Sequence, residues 1–328
     1  MPGPAYDILV AGEINPDLIL SGNVEPEFGQ VEKLVDDAVL TIGSSSAIFA
    51  CGAARLGLRV AFIGHCGQDV FGRYMLEALQ QRGVDTRHVI VRPDAATGFS
   101  VILNRGADRA ILSYAGLMAA LRPEDLPDDL LRRARHLHVA SYFIQTALQP
   151  GLPQVFRRAH ALGLSTSLDT NYDPAEAWRG LDELLTETDI FLPNAAEAAA
   201  LAGTPDPAQA ARRLSERVGT LAVKLGAQGA LGVQRSPLAG QGAGAEGVEG
   251  AASAAAAGQV LQAASLDVAV VDTVGAGDSF DAGFVYACLN GWPLARALRL
   301  GTVCGALSTR QAGGTAAQPG LDEALDHL

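Results

Sequence analysis

The chain has 328 residues, which at roughly 150 per domain allows about two domains, or one large domain with an appendage. Apolar residues make up 48% and charged ones 18%, with no uninterrupted apolar run of about 18, so neither a disordered nor a membrane-spanning chain fits. Lys+Arg number 24 against Asp+Glu 36, a formal net charge of −12 that opposes binding to nucleic acid or to an anionic membrane surface.

Residues 7–14, DILVAGEI, read as a short buried strand ending in a glycine turn, and NPDLILSGN resumes as a second extended segment. Small and apolar residues at helical spacing from Ser46 to Leu56 predict a buried helix closed by Gly57, with RVAFIGHCG as the next strand. Another helix spans 69–82, and TGFSVILN (97–104) and RAILSY (109–114) alternate around a turn like a hairpin. Beyond residue 120 strands HLHVAS, LSTSLD and DIFLPN alternate with helices ending near His160 and spanning 175–187 and 195–202. Such alternation implies a parallel sheet. AARRLSERVG reads as a further helix, and TLAVKLGAQGALGVQ as a strand pair around a glycine turn.

Residues 236–258 are almost all Ala, Gly and Ser, too small to build core, and are expected to form a flexible surface loop. Within them Gly242, Gly244 and Gly247 spell the dinucleotide fingerprint GxGxxG, without the strand before it and the helix after it that such a site requires. Only two lysines occur, Lys33 and Lys224, and neither sits in a GxxxxGK[ST] context, so a Walker-type phosphate loop is excluded. Cys51, Cys66, Cys288 and Cys304 are far apart with no CxxC pair, and the histidines form no zinc-binding set. Buried thiols, and a start that lacks a basic segment followed by an apolar stretch, lead us to expect a cytoplasmic protein.

The chemistry concentrates in LDVAVVDTVGAGDSFDAGFVYACLNG, which reads as strand, glycine turn and a helix beginning near Asp278. Gly275 and Gly277 let backbone amides converge, and the helix adds its positive end, so the turn suits an anion such as a phosphoryl group. A helix cap accounts for one carboxylate there, whereas the segment carries two, Asp272 and Asp278. A carboxylate facing a bound phosphate is costly unless it takes a proton from an incoming hydroxyl or helps hold a cation, and both roles belong to phosphoryl transfer.

DTVGAGDSF, residues 272–280, resembles the second signature of the ribokinase-like (PfkB) carbohydrate kinases. GEINPD (12–17), GSSSAIFACGAARLG (43–57), NAAE (194–197) and VKLGAQG (223–229) recur in that family's order, so the resemblance spans nearly the whole chain. It implies a three-layer α/β/α, Rossmann-like core with a small β-sheet lid. The core would comprise residues 1–13, 46–94 and 119–328, the last holding the nucleotide and catalytic site, and the lid 14–45 and 95–118.

The resemblance also implies roles. Asp278 would be the base, with the amides of Gly275, Ala276, Gly277 and Asp278 as the anion hole. Asp272 would hold a potassium-type monovalent cation with the region around Gly313, and Asn194 and Glu197 would organise Mg2+ and its waters around ATP. Lys224, Gly226 and Gly229 would border the nucleotide, the alternative being a lysine snorkelling outward; Thr302 and Cys304 would lie beside the adenine. Asn15, Asp17, Gly43, Ser44, Ser45, Asp169 and Asn171 would surround a small sugar substrate. Ile48 stands where the family usually has an asparagine, which argues against ribose and, with the DxN element at Asp169 and Asn171, towards hexose-type substrates. Arg105 and Arg109 in the hairpin are available to an anionic substrate, or are ordinary solvated turn charges. The alternatives are a ribonucleoside kinase with Phe28, Phe49 and Phe99 forming an apolar lid surface, and a catalytically silent sugar-binding regulator. A second subunit pairing through the lid sheet is the expected macromolecular partner.

Overall fold

The computed structural model describes residues 4–105, 108–235 and 258–328. The expected loop 236–258, Gly258 excepted, and its GxGxxG lie outside these residues. Among the described residues no helix is long and apolar enough to cross a membrane.

The strand Tyr6–Ala11 is buried along its length, Ile8 and Val10 entering one apolar core and Leu9 and Ala11 another. A strand buried on both faces belongs inside a sheet covered by helices on both sides. It pairs in parallel with Ala134–Val139 on one flank and Val60–Ile63 on the other. From Ala134–Val139 the sheet continues in parallel through Ser165–Leu168, Ile190–Phe191 and Thr220–Lys224. An antiparallel edge of Ala230–Gln234 and Leu261–Ala263 ends it, and Val84–Asp85 closes the far side of the nine strands. Helices Ser45–Arg55, Val70–Gln81, Ala276–Leu289 and Leu294–Ser308 cover one face, and Leu152–Ala161, Asp182–Thr186 and Pro207–Ser215 the other. The fold is a three-layer α/β/α sandwich.

A separate four-stranded sheet has the order Asp37–Ile42, Pro16–Ser21, Phe99–Arg105, Asp108–Tyr114. Its two central strands are parallel, so the segment after the first core strand and the later hairpin join into one unit. Period-two alternation divides its faces. Ile19, Ile102 and Ile111 lie in register on one face, and Leu18, Leu40, Val101 and Leu112 on the other, where Leu40 and Leu112 are exposed.

Two expectations fail for local reasons. The helix over 175–187 shrinks to Asp182–Thr186, because the Asp173 carboxylate accepts the amides of Ala175, Ala177 and Trp178 and winds the chain into a turn. The strand before the glycine turn is absent: after Leu261–Ala263 the segment to Val270 runs without sheet pairing. The amides of Val271 and Asp272 donate instead to the Thr309 carbonyl, and Leu266, Val268 and Val270 line a cleft. Their alternation is real, but the surface they cover is the cleft wall.

Candidate active site

A cleft of about 780 Å³ opens between the C-terminal ends of the parallel strands and the inward face of the four-stranded sheet. This is where open α/β sheets place their ligands. Asp17, Ser44, Ser45, Asp169, Asn171 and Asn194 line it, as do Lys224, Gly226, Gly229, Gly275, Ala276, Gly277, Asp278 and Thr302. Asn15, Gly43, Glu197, Cys304, Asp272 and Gly313 do not.

The helix Ala276–Leu289 begins two residues earlier than expected, so Asp278 is its third residue and not its cap. Gly275 caps it at φ 72°, and a Cβ there would lie 2.6 Å from the Gly314 Cα. Only glycine fits both demands. Among the described residues, the amides of Gly277 and Asp278 have no backbone acceptor, while that of Ala276 donates weakly to the Thr273 carbonyl at 3.3 Å. Two open donors at a helix start make a compact anion site, and Ala276 is largely spent elsewhere. Ile48, on the neighbouring helix, lines the cleft and packs against the contact between Gly275 and Gly314, so this apolar residue buttresses the turn.

Beneath the turn lies a buried charge cluster. Lys224 Nζ donates to Asp169 Oδ2 at 2.8 Å and to Asp281 Oδ2 at 2.9 Å, with its side chain 12% exposed. It points inward, which corrects the snorkelling alternative. Carboxylate oxygens of Asp169, Asp278 and Asp281 all lie within 4.8 Å of one another. Burial, then the charge of Asp169, pushes the Asp278 carboxyl up to about 8, against the pull of Lys224 and a hydrogen bond from Ser45. Burial raises Asp281 well above the carboxylate range despite Lys224. Burial also opposes ionisation of Asp169, but Lys224 and hydrogen bonds from Asp281 and Lys224 outweigh it and its net direction is down. The arrangement is one cation, one firmly ionised carboxylate, and two acids that hold protons more tightly. Asp281 escaped the sequence reading, although its three-residue spacing from Asp278 on a helix places both on one face.

At the other end of the cleft Asp17 Oδ1 accepts the side-chain amide of Asn15 at 3.2 Å. Burial lifts the Asp17 carboxyl to about 7, opposed first by the charge of Arg109, which lines the same cleft. Gly43 leaves room for this pair: a Cβ there would fall 2.2 Å from Asp17 Oδ1. Asn171, at φ 53°, donates its amide to Asp169 Oδ1 at 3.2 Å.

Asn194 caps the helix Ala195–Ala202 and shares a capping box with Glu197, whose carboxylate accepts the Asn194 amide at 2.9 Å. Burial, then the charge of Asp169, raises Glu197 to about 7. Asp272 and Gly313 do meet, through an amide donated to Asp272 Oδ2 at 2.9 Å; Oδ1 accepts the amide of Val274 at 3.0 Å. Cys304 faces away from the cleft, packed against Gly283 between two helices, whereas Thr302, Gly305, Ala306 and Thr309 line it. Helical spacing from Thr302 selects that set and excludes Cys304. Phe49 is buried against His138, Phe28 is almost fully exposed, and Phe99 packs on Phe71 and Tyr114. None of the three lines the cleft; the apolar lid residues that do line it are Ile102 and Ile111.

Comparison with known proteins matches residues 6–320 to the pfkB family carbohydrate kinase model. The chain is 28% identical over 305 residues to a 5-dehydro-2-deoxygluconokinase of Geobacillus thermodenitrificans (strain NG80-2), covering 86% of this chain and 82% of that protein. It is 32% identical over 301 residues to a fructokinase of Klebsiella pneumoniae, covering 86% and 90%. Arabidopsis thaliana ribokinase, solved with ribose and ATP, superposes with a TM-score of 0.78 at 22% identity over 98% of each chain. With the signature glycine turn at the mouth of this cleft, the chain belongs to the pfkB family of carbohydrate kinases and is a sugar kinase, an ATP-dependent phosphotransferase.

Proposed function

We propose that the cleft transfers the γ-phosphoryl group of ATP to a sugar hydroxyl, with Asp278 as the base. The observation that carries this reading is the placement of Asp278 among the open amides of the helix start, facing the cleft and raised to about 8. A carboxylate tuned towards neutral pH is matched to accept a proton from an alcohol as its oxygen attacks. The amides of Gly277 and Asp278 then meet the charge on the transferring group where it develops.

The remaining groups divide between the two ends. Lys224, Gly226, Gly229 and Thr302 border the nucleotide, and Leu266, Val268 and Val270 offer an apolar wall to its base. Asp17, Ser44 and Asn171 bind sugar hydroxyls, with Asn15 orienting Asp17 and Gly43 making room for it; Ser45 steadies Asp278. Asp169, taken up by Lys224, acts through its charge. The four-stranded sheet is the lid that excludes water when it closes.

The donor set suits the two cations such chemistry uses. Glu197 and Asn194 offer hard oxygens beside the cleft, fit to orient the waters of Mg2+, which would neutralise triphosphate charge. Asp272, whose Oδ2 accepts the Gly313 amide, suits a monovalent cation such as K+ stabilising the turn, and two residues beyond Gly313 the buried Thr315 hydroxyl has no hydrogen-bond partner among the described residues.

Arg109 favours one refinement. A guanidinium lining the sugar end beside Asp17 suits a substrate that carries a carboxylate or phosphate, in line with the gluconate-type relative. The exposed apolar outer face of the lid, with Leu40, Leu112 and Tyr114, supports pairing with a second copy of the chain. A coupled ADP-release screen over hexoses, pentoses, keto sugar acids, sugar phosphates and nucleosides, with and without K+, tests the proposal. Turnover confined to nucleosides, or absent throughout, would remove it.

A further inference from the structure

One buried carboxylate at the sugar end has no contact in the chemistry above, its charge being the last of the causes that raise Asp17 and Asp278. Glu13 follows the strand Tyr6–Ala11 and Gly12, is 3% exposed, and does not line the cleft. Its Oε1 accepts the Ser46 amide at 3.3 Å and the Ser141 hydroxyl at 2.9 Å, and its Oε2 accepts the Ser46 hydroxyl at 2.7 Å. Its backbone carbonyl accepts the Ser44 hydroxyl at 2.7 Å. Ser141 in turn accepts the side-chain amide of Asn171 at 3.1 Å. Glycine at position 12 keeps the hub compact, since a Cβ there would fall 1.9 Å from Ser46 Oγ.

The backbone around this hub is unusual. Six described non-glycine residues have positive φ, and three of them are Ser44 at 66°, Ser141 at 54° and Asn171 at 53°. All three hang from Glu13, directly or through one hydroxyl, although they come from three separate connections of the fold. Conformations of this kind persist only where surrounding contacts over-determine them, and they gather at functional sites. Every bond the Glu13 side chain makes is one it accepts, which suits a carboxylate and not an amide.

We propose that Glu13 is a positioning residue for the sugar: it fixes the backbone of the Ser44, Ser141 and Asn171 connections so that Ser44, Ser45 and Asn171 face the cleft, without itself touching substrate. This rests on the reading of the Asp17–Asn171 end as the sugar end. Glu13→Gln keeps the shape but sets an NH2 against donors, so the hub loses at least one bond while the nucleotide end is untouched.

The test is hydrogen–deuterium exchange on full-length wild type and Glu13→Gln, with MgATP binding and steady-state kinetics using 2-dehydro-3-deoxygluconate, fructose and ribose as probes. The proposal expects amide exchange over 43–47, 139–145 and 169–173 to quicken at least tenfold while 301–309 stays within twofold. MgATP affinity should hold within twofold, and the KM of a probe that turns over should rise tenfold or more with kcat within threefold. Unchanged exchange in the three segments overturns it, as does an unchanged sugar KM or a uniform rise along the whole chain. If Glu13→Gln does not fold, Ser141→Ala decides by cutting the path from Glu13 through Ser141 to Asn171 while leaving the bonds of Ser46 to Glu13. Faster exchange at 169–173 with 43–47 unchanged supports the proposal, and no change at 169–173 overturns it. Absence of turnover with every probe counts against the function proposed for the cleft, not against Glu13, whose role the exchange decides.

Discussion

Lys224, one of two lysines in the chain, places its Nζ 2.8 Å from Asp169 Oδ2 at the floor of the cleft. A buried cation ringed by carboxylates sets the charge state of all of them. Removing it leaves uncompensated acids, which costs about 3–5 kcal/mol when a buried pair is broken. Lys224→Met is expected to lose stability on that scale in denaturant titration and to lower kcat at least tenfold. Lys224→Met combined with Asp169→Leu, which removes the ionised partner as well, should recover part of the stability but not the activity.

The raised Asp278 sets a pH dependence of folding. Its unfolded value is near 3.8 and its folded value about 8, so between them the folded chain holds a proton that the unfolded chain has lost. Stability from this group is therefore present at low pH and falls as pH rises through that window. Asp278→Asn removes this group's share of the slope, while Asp17, Glu197 and Asp281, also raised, keep theirs. Melting temperature against pH should show the variant gaining on wild type from pH 5 towards pH 8.

Gly275→Ala would force a side chain into a positive-φ position and against Gly314. The strain is of order 1–3 kcal/mol, and relief requires the turn to move. We expect a loss of stability in that range and a fall in kcat of at least tenfold, measured on the same preparation.

Arg109→Ala distinguishes the substrate classes. If the sugar carries a negative charge, its KM should rise tenfold or more, while that of a neutral sugar changes less than threefold. Equal effects on both would assign Arg109 to the lid rather than to substrate recognition.

Much of this was legible because it is local. The glycine turn, the helix that follows Asn194 and the strand pair around Gly226 and Gly229 are each written in a few consecutive residues, and the structure forms each of them. What was not legible depends on long-range packing. Asp281 reads as a polar residue inside an apolar helix until the chain brings Lys224 over it. The 266–270 alternation gives its period but not the surface it faces, and Asp173 unwinds an otherwise helical stretch through side-chain bonds that propensity ignores.

The most direct measurement compares single-turnover phosphoryl transfer by wild type and Asp278→Asn, with MgATP and a sugar that wild type phosphorylates, as pH is varied. The account predicts a 10²- to 10⁴-fold slower transfer in the variant, nucleotide affinity nearly intact, and a wild-type rate that climbs towards pH 8 where the variant's is flat. Equal rates in the two proteins, with the same pH profile, would contradict it.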